Sequence, residues 1–217
     1  MKVKILLVDD HKMMRDGLCA LLKDVPDMEV VGEAADGRSS LDLVRRLKPD
    51  VVVMDIGMPD LNGVEATRRV RAEHPEARVI ALTTHTDKRY VHHMLEAGAC
   101  GYVLKISAHE ELVRAIRAAY LGRTYLSPEV AGAVVERSTR PHDAAESSAF
   151  SSLGAREREV LQLVAEGKTS SEAARLMHIS IKTVETHRRN IARKLHMRGT
   201  AELTKYAVRE GLTSLEE

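Results

Sequence analysis

Five short apolar runs alternate with five segments of helical period over about the first half of the chain, and this alternation restricts the possible folds more than any other feature. The runs are Val3 to Val8, Glu29 to Gly32, Val51 to Met54, Arg78 to Thr83 and Gly101 to Leu104. Between and after them, apolar residues recur at steps of three and four: Met14, Leu18, Leu21 and Leu22; Leu41, Val44 and Leu47; Val64 and Val70 with Thr67 between; Val91, Met94 and Leu95; Leu112, Val113, Ile116 and Ala119. Strands joined through helices need crossover connections, so they run parallel and the helices cover both faces of the sheet. Strands that are apolar along nearly their whole length agree with burial on both sides. The expectation for residues 1–121 is an α/β domain built on a five-stranded, doubly wound parallel sheet.

The pattern changes after Leu121. Ser127-Pro128-Glu129 reads as a helix start leading into Val130 to Val135. From Ser138 to Ser152 the chain is small and polar with one Pro, a composition that buries too little to fold alone, so residues 122–152 read as a helix and a flexible linker. Residues 153–217 carry apolar positions only at helical spacing. Four helices are expected there: Ala155 to Glu166, closed by Gly167; Ser170 to Met177; Ser180 to Leu195; and Thr200 to Glu210, closed by Gly211.

With one Phe and no Trp in 217 residues, both cores must be built from aliphatic side chains. The two cysteines, Cys19 and Cys100, have neither a metal-ligand spacing nor a disulfide framework, which fits a reducing cytoplasm. The apolar run at the N-terminus is too short for a signal peptide or a membrane span. A cytoplasmic protein without a membrane partner is expected.

In a doubly wound sheet, ligands bind beyond the carboxyl ends of the strands, so the residues that end each strand matter most. Here they are Asp9 and Asp10, Asp55, Thr83 and Lys105. One strand-end Asp commonly just caps the next helix. Three converging carboxylates repel one another unless a divalent cation sits among them, and a hard, oxygen-preferring ion such as Mg²⁺ suits them. A lysine and a hydroxyl on neighbouring strands could then hold phosphoryl oxygens.

Asp9-Asp10, the stretch from Asp55 through Gly57, Met58-Pro59 and Gly63, Thr83, and Gly98 to Lys105 resemble the signature of two-component response-regulator receiver domains. The resemblance covers about residues 1–121 and implies a flavodoxin-like fold. It also implies that Asp55 is the phosphoacceptor, that Asp9, Asp10, Asp55 and the Gly57 carbonyl hold Mg²⁺, that Lys105 contacts the phosphoryl oxygens, and that Thr83 and Tyr102 form the switch pair. Ile106 departs from the family, where Pro often follows the lysine.

Charge is uneven along the chain. Residues 1–150 carry 21 Lys and Arg against 23 Asp and Glu, whereas residues 151–217 carry 12 against 9. Between Ser180 and Arg198 lie Lys182, Arg188, Arg189, Arg193, Lys194 and Arg198 with a single acidic residue, Glu185. Such a run is a solvated helix face or a nucleic-acid surface. Lys168 to Ser180 joins two helices through a tight turn, as a helix-turn-helix does. Val184, Ile191 and Leu195 share the packing face of the second helix and leave Lys182, Glu185, Thr186, Arg188 and Arg189 outward. His178, His187 and His196, nine residues apart, do not converge on a metal.

Leu153 to Leu161, Ala165 to Lys168, Lys182 to Ile191 and Lys194-Leu195 resemble the LuxR-type output domain of NarL/FixJ regulators. That resemblance implies base contacts from Glu185, Thr186 and Arg189, backbone contacts from Lys182, Thr183, Arg188 and Lys194, and dimerisation through the last helix. The combined expectation is a regulator whose Asp55 is phosphorylated by a sensor histidine kinase with Mg²⁺, and which then binds double-stranded promoter DNA as a homodimer. It would not be an enzyme beyond phosphorylation and dephosphorylation of its own Asp55. The alternatives are a phosphate-independent DNA binder with a vestigial receiver, and an aspartyl-phosphate phosphohydrolase. The latter would need a second Asp at the position of Gly57.

Overall fold

The computed structural model describes residues 2–84, 88–139, 148–197 and 199–213. The chain forms two compact units divided between Thr139 and Arg140. Most of the stretch read as a linker, and Arg198 of the basic run, lie outside the described residues.

The first unit is a parallel sheet in the order β2-β1-β3-β4-β5-β6, with β1 Val3–Val8, β2 Met28–Ala34, β3 Val51–Asp55, β4 Arg78–Thr83, β5 Gly101–Leu104 and β6 Tyr125–Leu126. The sheet therefore has six strands, not the five expected. Its extra member is two residues long, too short to carry a periodic signal, and pairs in parallel with Gly101 and Tyr102. β2 is also longer than the apolar run, and its pairing with β1 shifts between Ile5 and Leu6.

Strand alternation divides the interior. Ile5 and Leu7, with Val51, Val53, Ile80 and Leu82, pack under α1 (Lys12–Lys23) and α5 (Ala108–Tyr120). Leu6, Val8, Val52 and Met54 pack under α2 (Gly37–Leu47) and α3 (Gly63–Glu73). A further cluster gathers Ile56, Ala81, Tyr102 and Leu104 against α4 (Lys88–Glu96) and α6 (Pro128–Thr139) through Val91, Met94 and Val130. The period of two along each strand thus feeds two apolar layers, one on each face.

Two caps set the helices below the strand ends. Asp36 accepts the Ser39 N–H at 2.8 Å to start α2, and Asn62 accepts the Glu65 N–H at 2.9 Å to start α3. Gly63 admits no side chain, because a Cβ there would meet the Asp55 carbonyl oxygen at 1.9 Å. The start of α3 thus lies directly against the end of β3.

The second unit is helical: α7 Ser148–Ser151, α8 Ala155–Ala165, α9 Ser170–Met177, α10 Ile181–Leu195 and α11 Thr200–Arg209. The last four are the expected helices. The short α7 stands at the end of the stretch read as flexible, and its Phe150 is buried in the same core as Val160, Met177, Ile191 and Tyr206. The Arg158 guanidinium lies 5.7 Å from the centre of the Phe150 ring and also donates to the Leu153 carbonyl, so this end of the stretch is held to α8.

Candidate functional site

The strand order reverses direction between β1 and β3, and the crevice beyond their carboxyl ends holds the first site. Asp9 and Asp10 follow β1, Asp55 ends β3, and Lys105 follows β5 in a 3-10 turn spanning Lys105–Ser107. These residues converge. The Lys105 ammonium lies 2.7 Å from Asp9 Oδ2 and 2.8 Å from Asp55 Oδ2, bridging two carboxylates whose side chains are 2% and 5% exposed. Oxygens of Asp9, Asp10 and Asp55 and a ring nitrogen of His11 lie within 4.8 Å of one another.

Burial is the largest influence on Asp55 and pushes its carboxyl pKa up, and the charge of Asp9 adds to this. Lys105 and the hydrogen bond from the Ile56 N–H oppose the rise without cancelling it. For Lys105 burial is again the largest influence and works against its charge. Attraction to Asp55 and Asp9 outweighs it, so the ammonium pKa rises above its ordinary value. One cation among three carboxylates leaves the pocket with excess negative charge. Asp9 Oδ2 lies against the Lys105 ammonium and Asp10 Oδ1 against the His11 ring, each at 2.7 Å. The three carboxylates, an oxygen donor set with residual negative charge, fit a hard divalent cation.

Thr83 ends β4 one residue beyond Leu82, the register partner of Asp55, and is buried. Tyr102 lies fully buried in the apolar cluster with Ile56, Val64 and Ala81. Gly57 is exposed between buried Ile56 and Met58. It offers no carboxylate for the acid a phosphohydrolase would need. Ile106 is 93% exposed.

The pocket has two further neighbours, His11 directly after the acidic pair in the sequence and Arg15, which sequence reasoning missed. His11 Nδ1 lies 2.7 Å from Asp10 Oδ1, which places the imidazole against the acidic pair. Arg15, on the first turn of α1, donates to the Asp9 carbonyl at 2.6 Å and faces Glu33 at 3.4 Å. Its bond goes to a backbone oxygen, so only the placement of an arginine one turn beyond the acidic pair could have hinted at it.

The second site is the outward face of α10. Thr169 and Glu172 form a reciprocal cap at the start of α9, and Ser180 accepts the Thr183 N–H at 3.1 Å to start α10. Between them His178 takes a left-handed conformation with φ 54°, and His196 does the same after α10, so two of the three evenly spaced histidines are helix-terminating residues. Val184, Ile191 and Leu195 are buried, as their spacing implies, and Lys182, Thr183, Glu185, Thr186 and Arg189 are exposed. Arg189 reaches the Thr186 hydroxyl at 3.3 Å, and half-buried Arg188 reaches the Ser170 hydroxyl at 3.4 Å.

Lys194 lies apart from this group. Its ammonium binds Glu157 Oε2 at 2.6 Å and the Ser152 carbonyl at 2.8 Å, so it ties α10 to the start of α8.

Residues 5–117 match the response regulator receiver domain family, and residues 151–207 match the luxR family of bacterial regulatory proteins. The chain belongs to the response regulators. This regulator is 42% identical over 212 residues to the transcriptional regulatory protein LiaR of Bacillus subtilis, an alignment covering 98% of this chain and all of LiaR. It is 37% identical to the response regulator GacA of Pseudomonas aeruginosa over 97% of each chain. Among solved structures, a LuxR-family two-component response regulator from Aurantimonas sp. matches with TM-score 0.61 and 40% identity, over 64% of this regulator and the whole of that chain. A structure of two RcsB dimers bound to two parallel DNAs matches with TM-score 0.59 and 25% identity, over 95% of this regulator and 98% of that chain. The regulator therefore joins a receiver domain to a LuxR-type DNA-binding domain, the organisation of a DNA-binding transcriptional regulator. Among its described residues, no helix is long and apolar enough to cross a membrane.

Proposed function

We propose that this response regulator is switched by phosphorylation of Asp55 and that the phosphorylated form binds promoter DNA as a homodimer. The observation that carries this reading is the convergence of Asp55, Asp9, Asp10 and Lys105 from three separate strand ends. A sensor histidine kinase is the donor. An Asp55 carboxylate oxygen attacks phosphorus, the phosphohistidine P–N bond breaks, and the imidazole leaves with its electron pair and takes up a proton. Asp9, Asp10, Asp55 and the Gly57 carbonyl would hold Mg²⁺, which when bound neutralises charge on the transferring phosphoryl group. Lys105, already on Asp55, is placed to exchange a carboxylate oxygen for a phosphoryl oxygen. Thr83 and Tyr102 then respond as the switch pair. A receiver that had lost this role would have no need to keep two buried carboxylates and a buried ammonium together, which disfavours the vestigial alternative.

On the DNA side, the N-terminal half of α10 enters the major groove. Arg189 is suited to guanine O6 and N7, Glu185 to cytosine N4 and the Thr186 methyl to thymine, while Lys182, Thr183 and Arg188 meet the backbone. The resemblance places Lys194 among the backbone contacts, and its ion pair with Glu157 must open for it to take that part. The likeness to RcsB dimers on DNA supports a dimeric complex, in which two-fold symmetry calls for inverted half-sites. Acetyl phosphate with Mg²⁺ should label the protein at one phosphate per chain and raise its affinity for a promoter fragment. Asp55→Ala should abolish both effects, and stoichiometric labelling of that variant refutes the assignment.

A further inference from the structure

The junction of β6 and α6 contains a polar arrangement that neither the pocket nor the DNA-reading face accounts for. The Ser127 N–H donates to the Tyr102 carbonyl at 2.9 Å, continuing the parallel ladder between β5 and β6. The next rung would run from the Leu104 N–H to the Ser127 carbonyl. That carbonyl is already taken, because it accepts the N–H groups of Val130 at 3.0 Å and Ala131 at 3.1 Å in the first turn of α6. The Ser127 hydroxyl takes its place, accepting the Leu104 N–H at 3.3 Å and donating its own proton to the Glu111 carboxylate on α5. Both side chains are buried, Ser127 completely. A buried carboxylate and a buried hydroxyl are costly to keep unless each satisfies the other, so the pair is held to this geometry.

The backbone groups that Ser127 binds are those of Tyr102 and Leu104, the latter directly before Lys105. Val130 and Val134 of α6 pack in the same apolar cluster as the Tyr102 ring. Hydrogen bonds and packing thus fasten α6, the last helix of the first unit, to the strand that carries Tyr102 and leads into Lys105. We propose that Ser127 and Glu111 are positioning residues that couple the state of the Asp55 pocket to α6, from which the chain continues to the DNA-binding unit. This rests on the phosphorylation reading above and names the route by which it is relayed.

The test uses the full chain with acetyl phosphate and Mg²⁺. It measures phosphate on Asp55, amide hydrogen exchange over residues 128–139, and affinity for a promoter fragment. In the unmodified protein, labelling should change exchange across α6 and raise affinity about tenfold or more. Ser127→Ala should label to within twofold of the parent, lose the exchange response and gain less than threefold in affinity. Glu111→Gln keeps an oxygen to accept the Ser127 hydroxyl and should preserve both responses. Full response in Ser127→Ala overturns the proposal, and so does failure of that variant to label, which would reduce Ser127 to a support for the pocket. Should Ser127→Ala lose its cooperative unfolding, Val134→Ala serves in its place. That variant should label normally with a diminished exchange response, and an undiminished response overturns the coupling. Absence of label from the parent would instead defeat the phosphoacceptor reading itself.

Discussion

Lys105 is the one described cation that touches both buried carboxylates of the pocket, and replacing it tests the electrostatics directly. At 2.7 and 2.8 Å from Asp9 and Asp55, each contact is worth about 6 kcal/mol of Coulomb attraction at an effective dielectric constant of about 20. Desolvation of three charged groups and repulsion between the two carboxylates cancel most of that gain. Removing the lysine cancels only part of the desolvation cost, because the carboxylates stay buried without a counter-charge, and the expected loss is about 3–5 kcal/mol. For a unit of this size that is a fall in Tm of about 10–20 °C. Lys105→Met should show the fall in EDTA, measured by calorimetry on the first of the two transitions to change. Mg²⁺ should then recover more stability in the variant than in the parent, because the ion no longer competes with an ammonium for the same oxygens; saturation at 100 times its Kd contributes about 2.7 kcal/mol. Adding Asp55→Asn to Lys105→Met should restore part of the loss and reduce the Mg²⁺ response. A Tm in EDTA within about 3 °C of the parent, together with an equal Mg²⁺ response, would refute the account of the pocket as a charge-frustrated site.

The second unit offers three further tests. Phe150→Ala should destabilise that unit alone by about 3–5 kcal/mol, read as a lower midpoint of its own unfolding transition, and an unchanged midpoint would mean that Phe150 contributes no core packing. Burial works to raise the Glu157 pKa, but Lys194 and the Gly154 N–H outweigh it and hold the carboxyl below its ordinary value of 4.5. A depressed folded pKa contributes stability above pH 4.5 that is lost as pH falls through the folded value. The stability gap between the parent and Glu157→Gln should therefore be full at pH 6 and shrink progressively as pH falls below 4.5, and a gap independent of pH contradicts the ion pair. Arg189→Ala should relax preference at one base position, whereas Arg188→Ala should lower affinity for all sequences, as selection from random DNA would reveal. Equal losses at every site for both would overturn that division of roles.

Some of this molecule could be read from its residues, and the boundary of what could be read has a physical origin. The sheet was legible because strands buried on both faces must be apolar along their length, as Val51 to Met54 is. β6 was not, since Tyr125 and Leu126 are too few to show a period and are held by pairing with Gly101 and Tyr102. The pocket residues were legible because a charged group at a strand end has few structural reasons to recur three times. Arg15 was not, nor was the part Ser127 plays beyond starting a helix, because they act on the Asp9 carbonyl and the Leu104 N–H, backbone groups that every residue type supplies. Phe150 was hidden by its neighbours, a lone aromatic among Ser and Ala. Lys194 shows the converse limit. Its charge was plain in the basic run, but its partner Glu157 is 37 residues earlier, and the spacing of charges does not encode which of them meet.

The state of α10 bears on how a pocket could control DNA binding. Ser180 caps the helix, Val184, Ile191 and Leu195 are buried beneath it, and Arg189 already rests on Thr186. The outward face of the helix is thus built on the second unit's own core. Under the proposed switch, phosphorylation has no helix to fold there, so its leverage would fall on how freely the face is reached or on how two copies are paired. Either is a shift between populations, and a tenfold gain in affinity requires only about 1.4 kcal/mol of differential stabilisation. That is the scale of one or two buried hydrogen bonds, which a strand of four buried residues with Tyr102 within it, Lys105 at its end and Ser127 beside it can deliver without remodelling either core.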